Sequence, residues 1–480
     1  MKPIDIPTFQ PRLKVLSREQ ALAIHTAALE IIEKTGFKME HPGALQMLID
    51  AGCTVTDDDW VRMPGYLAEN ALKSAPRQIA LFDQQGNKTM PLVDGNPFYG
   101  TGSDTTFTLD LETGQRRRTN LKDTANFAKL VDGLENISFA MSMSNPEDVP
   151  IDNIYVYAFA EMIKNTNKPL VFIADSSKDI AKIHQIACAV VGGEDELRRK
   201  PFLLNYSEAI SPLRFPENVV GKLIFCAQKG IPICFPSGSN AGGGAPVTLA
   251  GAMALGIAEN LVGLVVHQMA GKGSPFLFGP NVSTMDMKST VVSYGCPEWS
   301  LTQAALADMR DELYGLPVWA YAGASDSKTM DAQAGAEAMF SVATAMLSRC
   351  NLIHDNGYLE YGGISSLEMV TMINELIAMT RFYVQGIPVN TETLALDAIQ
   401  RVGTTPGSMF LTDDHTFDNF MDAQFIPKLL DRSRYDSWEA EGSTDLYKRC
   451  NTEAKRILAE HRVEPKSDEI LQAIDKIVKG

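Results

Sequence analysis

The chain has 480 residues, of which 45% are hydrophobic and 21% are charged, and its formal net charge at pH 7 is −16. This composition is typical of a globular protein, and the length requires either several domains or one large barrel with additions. The acidic balance excludes nucleic acid as a partner, because phosphate binding needs a face rich in lysine and arginine.

Neither a signal peptide nor a membrane span is predicted. Residues 1–7 contain no apolar stretch of the signal-peptide type. The longest nearly apolar run, residues 245–258, contains Pro246, Gly251 and Gly256 and is shorter than the roughly 18 to 20 residues that a span requires. The seven cysteines include no CxxC pair, which is typical of reduced thiols. We therefore expect a cytoplasmic protein that has no membrane partner.

The first 120 residues mix helices with short, turn-rich strands. Residues 17–20 have the pattern of a capping box, and the apolar residues along 24–32 predict a helix that ends at Gly36. Residues 94–97 have the composition of a turn. These features predict an N-terminal α+β extension, residues 1–120, that packs on the rest of the chain.

From about residue 120 the pattern becomes regular. Five times, a proline precedes a short apolar run that ends in polar or small residues, and the runs start at Pro169, Pro201, Pro232, Pro275 and Pro317. Helical stretches separate the runs. Proline is tolerated at the first position of a strand, and apolar runs without alternation are typical of strands that are buried on both faces. Strand and helix alternating at this spacing predict parallel strands.

Three weaker runs raise the number of predicted strands to eight. They are residues 137–143, 352–356 and, weakest of all, 408–412. Eight parallel strands separated by helices predict an α/β fold of the (β/α)₈ TIM-barrel type over residues 121–430, followed by a C-terminal helical tail at 431–480. The alternative is an open doubly wound sheet. No GxGxxG motif follows any strand, and the Gly-rich segment 238–244 lacks the lysine of a Walker loop.

The active site of such a barrel lies where the strands end and the following loops begin. The predicted strand ends are rich in aromatic residues and poor in lysine and arginine, with only Lys328 close by. This composition suits a soft cation, because an aromatic face attracts a quaternary ammonium by about 0.5 to 2 kcal/mol per contact. The alternative is that the rings fill the barrel and that His354 is a core histidine. The predicted substrate-binding residues are Tyr99, Asn205, Tyr206, Glu208, Phe235, Phe278, Tyr321, Asp326, His354 and Tyr358.

A tightly bound metal is not expected. Zinc needs three or four converging ligands, and the seven histidines show neither HxxxH nor HxxE spacing. Cys234 and His354 lie on different predicted strands and could meet, but no third ligand accompanies them. The chain also lacks the GxSxG elbow of a serine hydrolase.

Several segments resemble the trimethylamine methyltransferase family. The similarity lies in residues 16–25 and 29–36 near the N-terminus and in residues 326–335, 411–416 and 433–438 towards the C-terminus. The resemblance spans nearly the whole chain. It implies a barrel enzyme that moves a methyl group from a methylated amine to the cobalt(I) of a corrinoid carried by a cognate partner protein.

The resemblance also bears on the substrate. Trimethylamine members of the family carry pyrrolysine near the end of the sixth barrel strand, whereas residues 320–333 of this chain are all standard amino acids. The chain is therefore similar to the branch without pyrrolysine, which includes glycine betaine methyltransferase. A quaternary nitrogen has no lone pair for pyrrolysine to capture, and its leaving group is a neutral amine. We expect a quaternary amine, glycine betaine first, and no catalytic acid or base.

In this interpretation the protein orients the methyl group and excludes water. Asn205, Tyr206 and His354 are expected to hold the carboxylate of a betaine, while Glu208 or Asp326 offsets the ammonium charge. The expected partners are the corrinoid protein, the small amine and further copies of the same chain. Two alternatives from other classes are a non-catalytic binding protein for quaternary amines and a metal-dependent barrel hydrolase.

Overall fold

Eight short parallel strands form the centre of the molecule, and a helix follows each strand. The computed structural model describes residues 5–93 and 95–479. The strands are β1 Phe98–Gly100, β2 Ile137–Phe139, β3 Leu170–Phe172, β4 Leu203–Tyr206, β5 Ile233–Cys234, β6 Phe276–Leu277, β7 Trp319–Tyr321 and β8 Leu352–His354. The helices are α1 Leu121–Gly133, α2 Ile154–Asn165, α3 Ser177–Val191, α4 Glu217–Lys229, α5 Leu249–Ala270, α6 Pro297–Met309, α7 Ala332–Leu347 and α8 Leu367–Val384.

The eight strands close into a barrel. One parallel sheet has the strand order β2-β1-β8-β7, and the other has the order β3-β4-β5-β6. Parallel bridges join the two sheets, between Ala140 and Leu170 on one side and between Phe278 and Val318 on the other. Every strand therefore has two neighbours, and the predicted (β/α)₈ fold class is confirmed.

One predicted strand is wrong. Residues 408–412 do not enter the barrel, because Phe410–Thr412 is a short 3-10 helix with exposed side chains. The first strand is instead Phe98–Gly100, which has only three residues and no apolar run that the sequence could reveal. Gly100 is required there, because a Cβ at this position would lie 2.3 Å from the ring of Phe139. The barrel thus begins before residue 121, the start predicted for it.

The barrel interior is packed with apolar side chains, including Phe139, Val171, Leu204 and Leu277. A hairpin made of strands Ile79–Phe82 and Lys88–Leu92 contributes further residues to the same cluster and closes the amino-terminal end of the barrel. The interior is therefore filled at that end.

The N-terminal region packs its helices on the outside of the barrel. The predicted capping box is present, since Ser17 and Gln20 exchange hydrogen bonds at the start of helix Arg18–Glu30. A π-helical turn at Ile31–Thr35 extends it, and Gly36 ends it with a φ of 81°. The region also contains helices Pro42–Asp50 and Gly65–Ser74 and the strands Asp5–Ile6, Lys38–Met39, Thr54–Val55 and Val61–Arg62. Asp94, in the predicted turn at 94–97, lies outside the described residues. Residues 1–4, in the segment predicted to contain no signal peptide, also lie outside them.

Helix α5 is long and apolar enough to cross a membrane by length and composition, and no other described helix meets this test. Most of its apolar stretch, 83%, is buried inside the protein. The helix lies between the barrel strands and the N-terminal helices. We therefore describe α5 as a core helix, in agreement with the sequence-based interpretation of residues 245–258.

Further elements lie outside the eight repeats. Short strands near the barrel mouth are Phe107–Leu109, Arg116–Arg118, Arg214–Phe215, Ser239–Ala241, Val282–Asp286, Val291–Ser293, Tyr358–Leu359 and Ile364–Ser365. Short helical turns are Ile151–Asn153, Glu194–Arg199, Arg310–Tyr314 and Glu360–Gly362. After α8 come strand Val389–Asn390 and helices Leu396–Thr404, Asp414–Ala423, Tyr435–Ala440, Leu446–Glu460 and Asp468–Lys479.

Candidate functional site

Aromatic rings from distant strands meet inside the carboxyl end of the barrel. The ring of His354 on β8 lies 5.7 Å from that of Tyr206 on β4 and 4.1 Å from that of Trp319 on β7. Tyr321 shares a face of β7 with Trp319 and packs against Trp299 at 3.9 Å. Tyr206, Tyr321 and His354, which are far apart in the sequence, thus share the barrel interior.

Four predicted substrate-binding residues face away from this interior, and the structure corrects their assignment. Tyr99 donates a hydrogen bond to the carbonyl of Val342 on α7, and Asn205 donates one to the carbonyl of Phe172. Phe235 packs against α5 and Phe278 against Tyr314. Side chains alternate between the two faces of a strand, so each neighbour of an inward residue points towards the helices. All four are buried core residues.

Two aromatic residues of the site were missed by the sequence analysis. Tyr294 follows the hairpin after β6, and Trp299 lies in the first turn of α6. The Tyr294 ring contacts Trp299 at 4.5 Å, and it lies 6.0 Å from both Tyr321 and Tyr358. Both residues come after a long loop and not at a strand end, so the strand pattern gives no signal for them.

Asp326 holds this loop in place. Its carboxylate accepts hydrogen bonds from the hydroxyl of Ser293 and from the backbone N–H groups of Tyr294 and Gly295, at 2.8 and 3.1 Å for the latter two. These three hydrogen bonds occupy most of the acceptor positions of the carboxylate. Asp326 therefore positions Tyr294 over the mouth, and it is not free to offset an ammonium charge as the sequence analysis expected.

Three other carboxylates surround the mouth, at Asp104 after β1, Glu208 after β4 and Asp355 after β8. The side chains of Asp104 and Glu208 are reached by solvent although protein surrounds them, as in the lining of a deep cavity. Burial and the nearby charge of Glu208 raise the pKa of Asp104 to about 7. Burial also raises the pKa of Glu208. The hydrogen bond that Glu208 accepts from the Tyr206 hydroxyl, at 2.8 Å, lowers this pKa but by less than burial raises it.

His354 is buried, with 5% of its surface exposed, and its ring is poorly satisfied. Nδ1 lies 2.6 Å from Oδ1 of Asp355 without an aligned hydrogen bond, and Nε2 has no partner among the described residues. A buried polar atom without a partner is rare in folded proteins, and it marks a position where a ligand or water binds. The His354 ring therefore presents a polar atom that a ligand or a water molecule could meet.

Two lysines near the mouth are already engaged, and Arg116 of the neighbouring short strand pairs with Glu360. Lys222 on α4 is buried and donates a hydrogen bond of 2.6 Å to the carbonyl of Ala174, while burial lowers its pKa. Lys328 donates to the backbone carbonyl of Asp326. Tyr358 donates to the carbonyl of Ser103. The mouth is thus aromatic and acidic, which is the environment that an organic cation prefers.

Within residues 5–93 and 95–479, no three His, Cys, Asp or Glu side chains are grouped as metal ligands would be. Cys234 belongs to the apolar cluster of the interior, and burial raises the pKa of its thiol well above the ordinary value. A buried neutral thiol is a poor metal ligand and a poor nucleophile. Aromatic rings and carboxylates, the groups that attract an organic cation, are thus what the described residues of the mouth offer.

Comparison with known proteins agrees with this geometry. The profile of the family described as trimethylamine methyltransferase (MTTB) matches residues 4–479. The chain belongs to this family. The family assigned from the sequence is therefore confirmed.

Three curated relatives cover nearly the whole chain. Trimethylamine methyltransferase MttB of Desulfitobacterium hafniense (strain DSM 10664 / DCB-2) is 32% identical over 464 residues, which is 96% of this chain and 93% of that protein. Glycine betaine methyltransferase of Desulfitobacterium hafniense (strain Y51) is 31% identical over 468 residues, 96% of each. Trimethylamine methyltransferase MttB of Methanosarcina thermophila is also 31% identical and covers 96% of both chains.

A solved structure shares the fold. The monomethylamine methyltransferase MtmB of Methanosarcina barkeri superposes with a TM-score of 0.51 and a sequence identity of 10%, and the match covers 94% of this chain and 89% of that one. At this identity the similarity concerns the fold alone.

Proposed function

We propose that the protein removes a methyl group from a quaternary amine and passes it to the cobalt of a corrinoid carried by a partner protein, with glycine betaine as the first substrate to consider. The observation that carries the proposal is the ring of aromatic residues and carboxylates around the unpartnered His354, in a chain of this methyltransferase family. The glycine betaine relative supports the choice of substrate.

The residues of the mouth fit the binding of a quaternary ammonium. Tyr206 and Tyr294 are partly exposed and offer aromatic faces, while the buried rings of Trp319 and Tyr321 pack around them. Each cation–π contact contributes about 0.5 to 2 kcal/mol. Glu208 and Asp104 offset the positive charge. A cobalt(I) corrinoid brought by the partner would supply the nucleophile for the methyl carbon. Since the leaving group is a neutral tertiary amine, the protein contributes orientation and the exclusion of water.

The carboxylate of a betaine needs a donor, and we propose that His354 provides it from Nε2 in the imidazolium form, in which both ring nitrogens carry a proton and Nδ1 faces Asp355. Its Nε2 has no other partner. Tyr206 is a weaker candidate than the sequence suggested, because its hydroxyl already donates to Glu208. Asn205 is excluded from this role, because it faces the helices and donates to Phe172.

The acidity of the mouth favours a second class of substrate, a quaternary ammonium without a carboxylate. Asp104, Glu208 and Asp355 surround the site, and like charges a few ångströms apart repel strongly when water is excluded. A zwitterion binds there only if protonation of these groups or the His354 donor compensates its carboxylate. Tetramethylammonium and choline meet no such obstacle.

The rim of the mouth is suited to docking a partner. Five loops that follow barrel strands present exposed large apolar side chains, which we call the apolar rim: Ile151, Ile210, Val247, Met287 and Tyr361. Exposed apolar groups clustered around a cavity are typical of interaction sites. We propose that the corrinoid protein docks on this rim, which brings the cobalt above the cation.

The test is the transfer itself. The purified protein is mixed with reduced cobalamin and glycine betaine, tetramethylammonium, choline or trimethylamine, and methylcobalamin is followed by its absorbance. We expect transfer from at least one quaternary amine and none from trimethylamine. Transfer from none of them, with calorimetric binding retained, would instead indicate a non-catalytic binding protein, and stoichiometric zinc in the protein would favour a hydrolase.

The proposed location is the cytoplasm. All seven cysteines are free thiols, and burial raises the pKa of several of them. Free thiols in this number fit a reducing compartment.

A further inference from the structure

A cavity of about 280 Å³ lies at the amino-terminal end of the barrel, opposite the mouth. It is bounded by residues 77–78, just before the hairpin that closes this end, and by residues between Arg310 and Pro317, which lead into β7. Asn351, which directly precedes β8, completes the wall. The packed barrel interior separates this cavity, which we call the basal cavity, from the proposed substrate site.

The side-chain amide of Asn351 has an unused donor in the wall of the basal cavity. Asn351 is 1% exposed. Its Oδ1 accepts hydrogen bonds from the backbone N–H of Val318 at 2.9 Å and from Nη1 of Arg310 at 3.2 Å. These two donors fix the orientation of the amide, so the remaining atom is the NH₂ group. Nδ2 has no partner among the described residues, which is rare for a buried donor and marks a position where a ligand binds.

The guanidinium of Arg310 is buried, with part of its hydrogen-bonding capacity unused. Nε donates to Oδ1 of Asp311 at 2.7 Å, and Nη1 donates to the carbonyl of Arg349 and to Asn351. In the part of the chain that the structure describes, Nη2 makes no hydrogen bond. The other oxygen of Asp311 accepts a hydrogen bond from Arg12, so both oxygens of this carboxylate are engaged. Arg310 therefore keeps a donor edge for a further acceptor.

Arg77 brings a second guanidinium to the basal cavity. Its side chain rests on the backbone of Gly315, where a Cβ would lie 3.0 Å from Nη1 of Arg77. Gly315 has a φ of 65° and donates its N–H to the carbonyl of Arg310 at 2.8 Å. Glycine is therefore favoured there both by the backbone conformation and by the space that Arg77 occupies. This contact holds the Arg77 guanidinium at the cavity, although the residue as a whole is exposed.

Positive charge is concentrated around the basal cavity, although the net charge of the chain is −16. Arg349 and Arg381 line a neighbouring cavity of about 430 Å³. Gly95 lies between the two cavities, because a Cβ on it would be 3.2 Å from Nη2 of Arg310 and 2.6 Å from Cβ of Arg349. Within the described residues, Arg77, Arg349 and Arg381 form no ion pair, and only Arg310 has a carboxylate partner. The surroundings therefore attract an anion.

We propose that the basal cavity binds a phosphate group, either as orthophosphate or as the monoester of a small metabolite. Nδ2 of Asn351, Nη2 of Arg310 and the guanidinium of Arg77 are all donors. A phosphate accepts several hydrogen bonds at once, and its oxygens match the fork of a guanidinium. An apolar ligand would leave the three donors without acceptors, and a cation would be repelled by the two arginines.

The three donors come from segments that meet only in the folded chain. Arg77 precedes the hairpin, Arg310 follows α6 and Asn351 precedes β8. A phosphate held by all three connects the hairpin to the starts of β7 and β8. Because the unfolded chain lacks this arrangement, the bound ligand stabilises the folded state by mass action. The inference does not depend on the proposed methyl transfer, which takes place at the other end of the barrel.

Thermal unfolding and calorimetry of the full-length protein in a phosphate-free buffer test the proposal. The probes are orthophosphate and glycerol 3-phosphate, and sodium chloride at equal ionic strength corrects for screening. We expect Tm to rise with the phosphate concentration and not with chloride. Arg77→Ala is expected to weaken binding about tenfold, because it removes one of the two guanidinium groups. The matched control is Arg62→Ala, at an exposed arginine of the N-terminal region, and it is expected to bind as the wild type does.

Hydrogen exchange of the wild-type protein gives a second readout that needs no variant. Phosphate is expected to slow the exchange of amides in residues 310–318 and 349–352, while amides in residues 206–208 at the mouth do not change. Binding of glycerol 3-phosphate alone, weakened in Arg77→Ala, would support the proposal and identify an organic phosphate as the ligand. Binding of neither probe, an equal rise of Tm in chloride, or an equal effect of Arg77→Ala and Arg62→Ala would overturn it.

Discussion

Tyr206 donates a hydrogen bond of 2.8 Å to Oε2 of Glu208, two residues further along the chain. Tyr206 belongs to the barrel interior and Glu208 to the mouth, so this bond joins an aromatic face to a negative charge. An ammonium group placed between them would be attracted by both the Tyr206 ring and the Glu208 carboxylate. The hydrogen bond holds the carboxylate in this orientation. The pair therefore yields the first prediction.

Replacing Glu208 by Gln is expected to raise the KM for a quaternary amine about tenfold, which corresponds to about 1.4 kcal/mol of binding free energy. The variant removes the charge but keeps the side-chain volume and an acceptor for Tyr206. The turnover number should change less than KM, because Glu208 is not proposed to take part in bond breaking. Steady-state kinetics with methylcobalamin formation as the readout measures both.

The matched control for this variant is Glu135→Gln, at an exposed site between α1 and β2, on the amino-terminal side of the barrel. It removes the same charge from the same chain without touching the mouth. An equal rise in KM for both variants would mean that only the overall charge of the protein matters and would remove Glu208 from the site.

The raised pKa of Asp104 predicts how binding depends on pH. Because that pKa is about 7, Asp104 is neutral below pH 7 and ionised above it. A cationic substrate prefers the ionised form, so we expect its affinity to increase as the pH rises from 6 to 8. Binding near pH 7 should also release a proton, which calorimetry in buffers of different ionisation enthalpy detects.

The same shift has the opposite effect on stability. The folded chain holds the proton of Asp104 more tightly than the unfolded chain does, because the ordinary pKa of this side chain is 3.8. Between these two pH values the folded state binds more protons, so this residue's contribution to the free energy of unfolding decreases as the pH rises. Asp104→Asn is expected to weaken the pH dependence of substrate binding and that of the free energy of unfolding. A variant that binds with the wild-type pH profile would contradict the role of Asp104 as the titrating group.

His354 separates the two proposed classes of substrate. If its free Nε2 holds the carboxylate of a betaine, His354→Ala should raise the KM for glycine betaine at least tenfold, because a lost hydrogen bond to a charged group costs about 1.5–3 kcal/mol. The KM for tetramethylammonium should change by less than threefold. The ratio of the two KM values is the measurement, and His354→Gln, which keeps a donor, is expected to restore part of the difference.

An equal loss for both substrates would show that His354 shapes the cavity and does not recognise the carboxylate. The aromatic neighbours Tyr206 and Trp319 lie close enough for such a packing role. Circular dichroism of the variant then distinguishes local collapse from global unfolding.

The apolar rim gives a prediction about the partner. Ile151→Glu combined with Ile210→Glu is expected to raise the KM for the corrinoid protein at least tenfold, because two charges face its docking surface. Transfer to free cobalamin should stay within twofold of the wild type, since no residue of the cavity changes. Leu22→Glu, an exposed apolar position on the N-terminal helix, serves as the control. A parallel loss with free cobalamin would contradict a docking role.

The sequence predicted the barrel well, because seven strands form apolar runs with polar or small residues at their ends. The strand Phe98–Gly100 was missed since three residues ending in glycine produce no recognisable run. Residues 408–412 were mistaken for a strand because Met409, Phe410 and Leu411 form an apolar run, although these side chains are exposed. In sequence, an apolar run that stays exposed cannot be distinguished from one that enters a core.

The site was predicted less completely, and the reason is geometric. Strands such as Ile233–Cys234 have two residues, too few for an alternation that would reveal which side chain faces inward. Tyr206 was assigned correctly to the interior, whereas its neighbour Asn205 was not. Asp104 and Tyr294 lie in loops that fold back over the mouth, and loop paths depend on contacts such as those of Asp326, which no local pattern encodes.

Phe235 provides a test of this correction. Its ring lies on the outer side of the barrel, against Gly263 of α5 and stacked on Phe215 at 6.4 Å, and it is fully buried. Phe235→Ala should therefore reduce the free energy of unfolding by about 3–5 kcal/mol, because it removes a packed ring and leaves a cavity. The KM for the quaternary amine should not change, since the ring does not reach the mouth. Urea denaturation and steady-state kinetics on the same preparation measure the two quantities, and a raised KM without a loss of stability would return Phe235 to the substrate site.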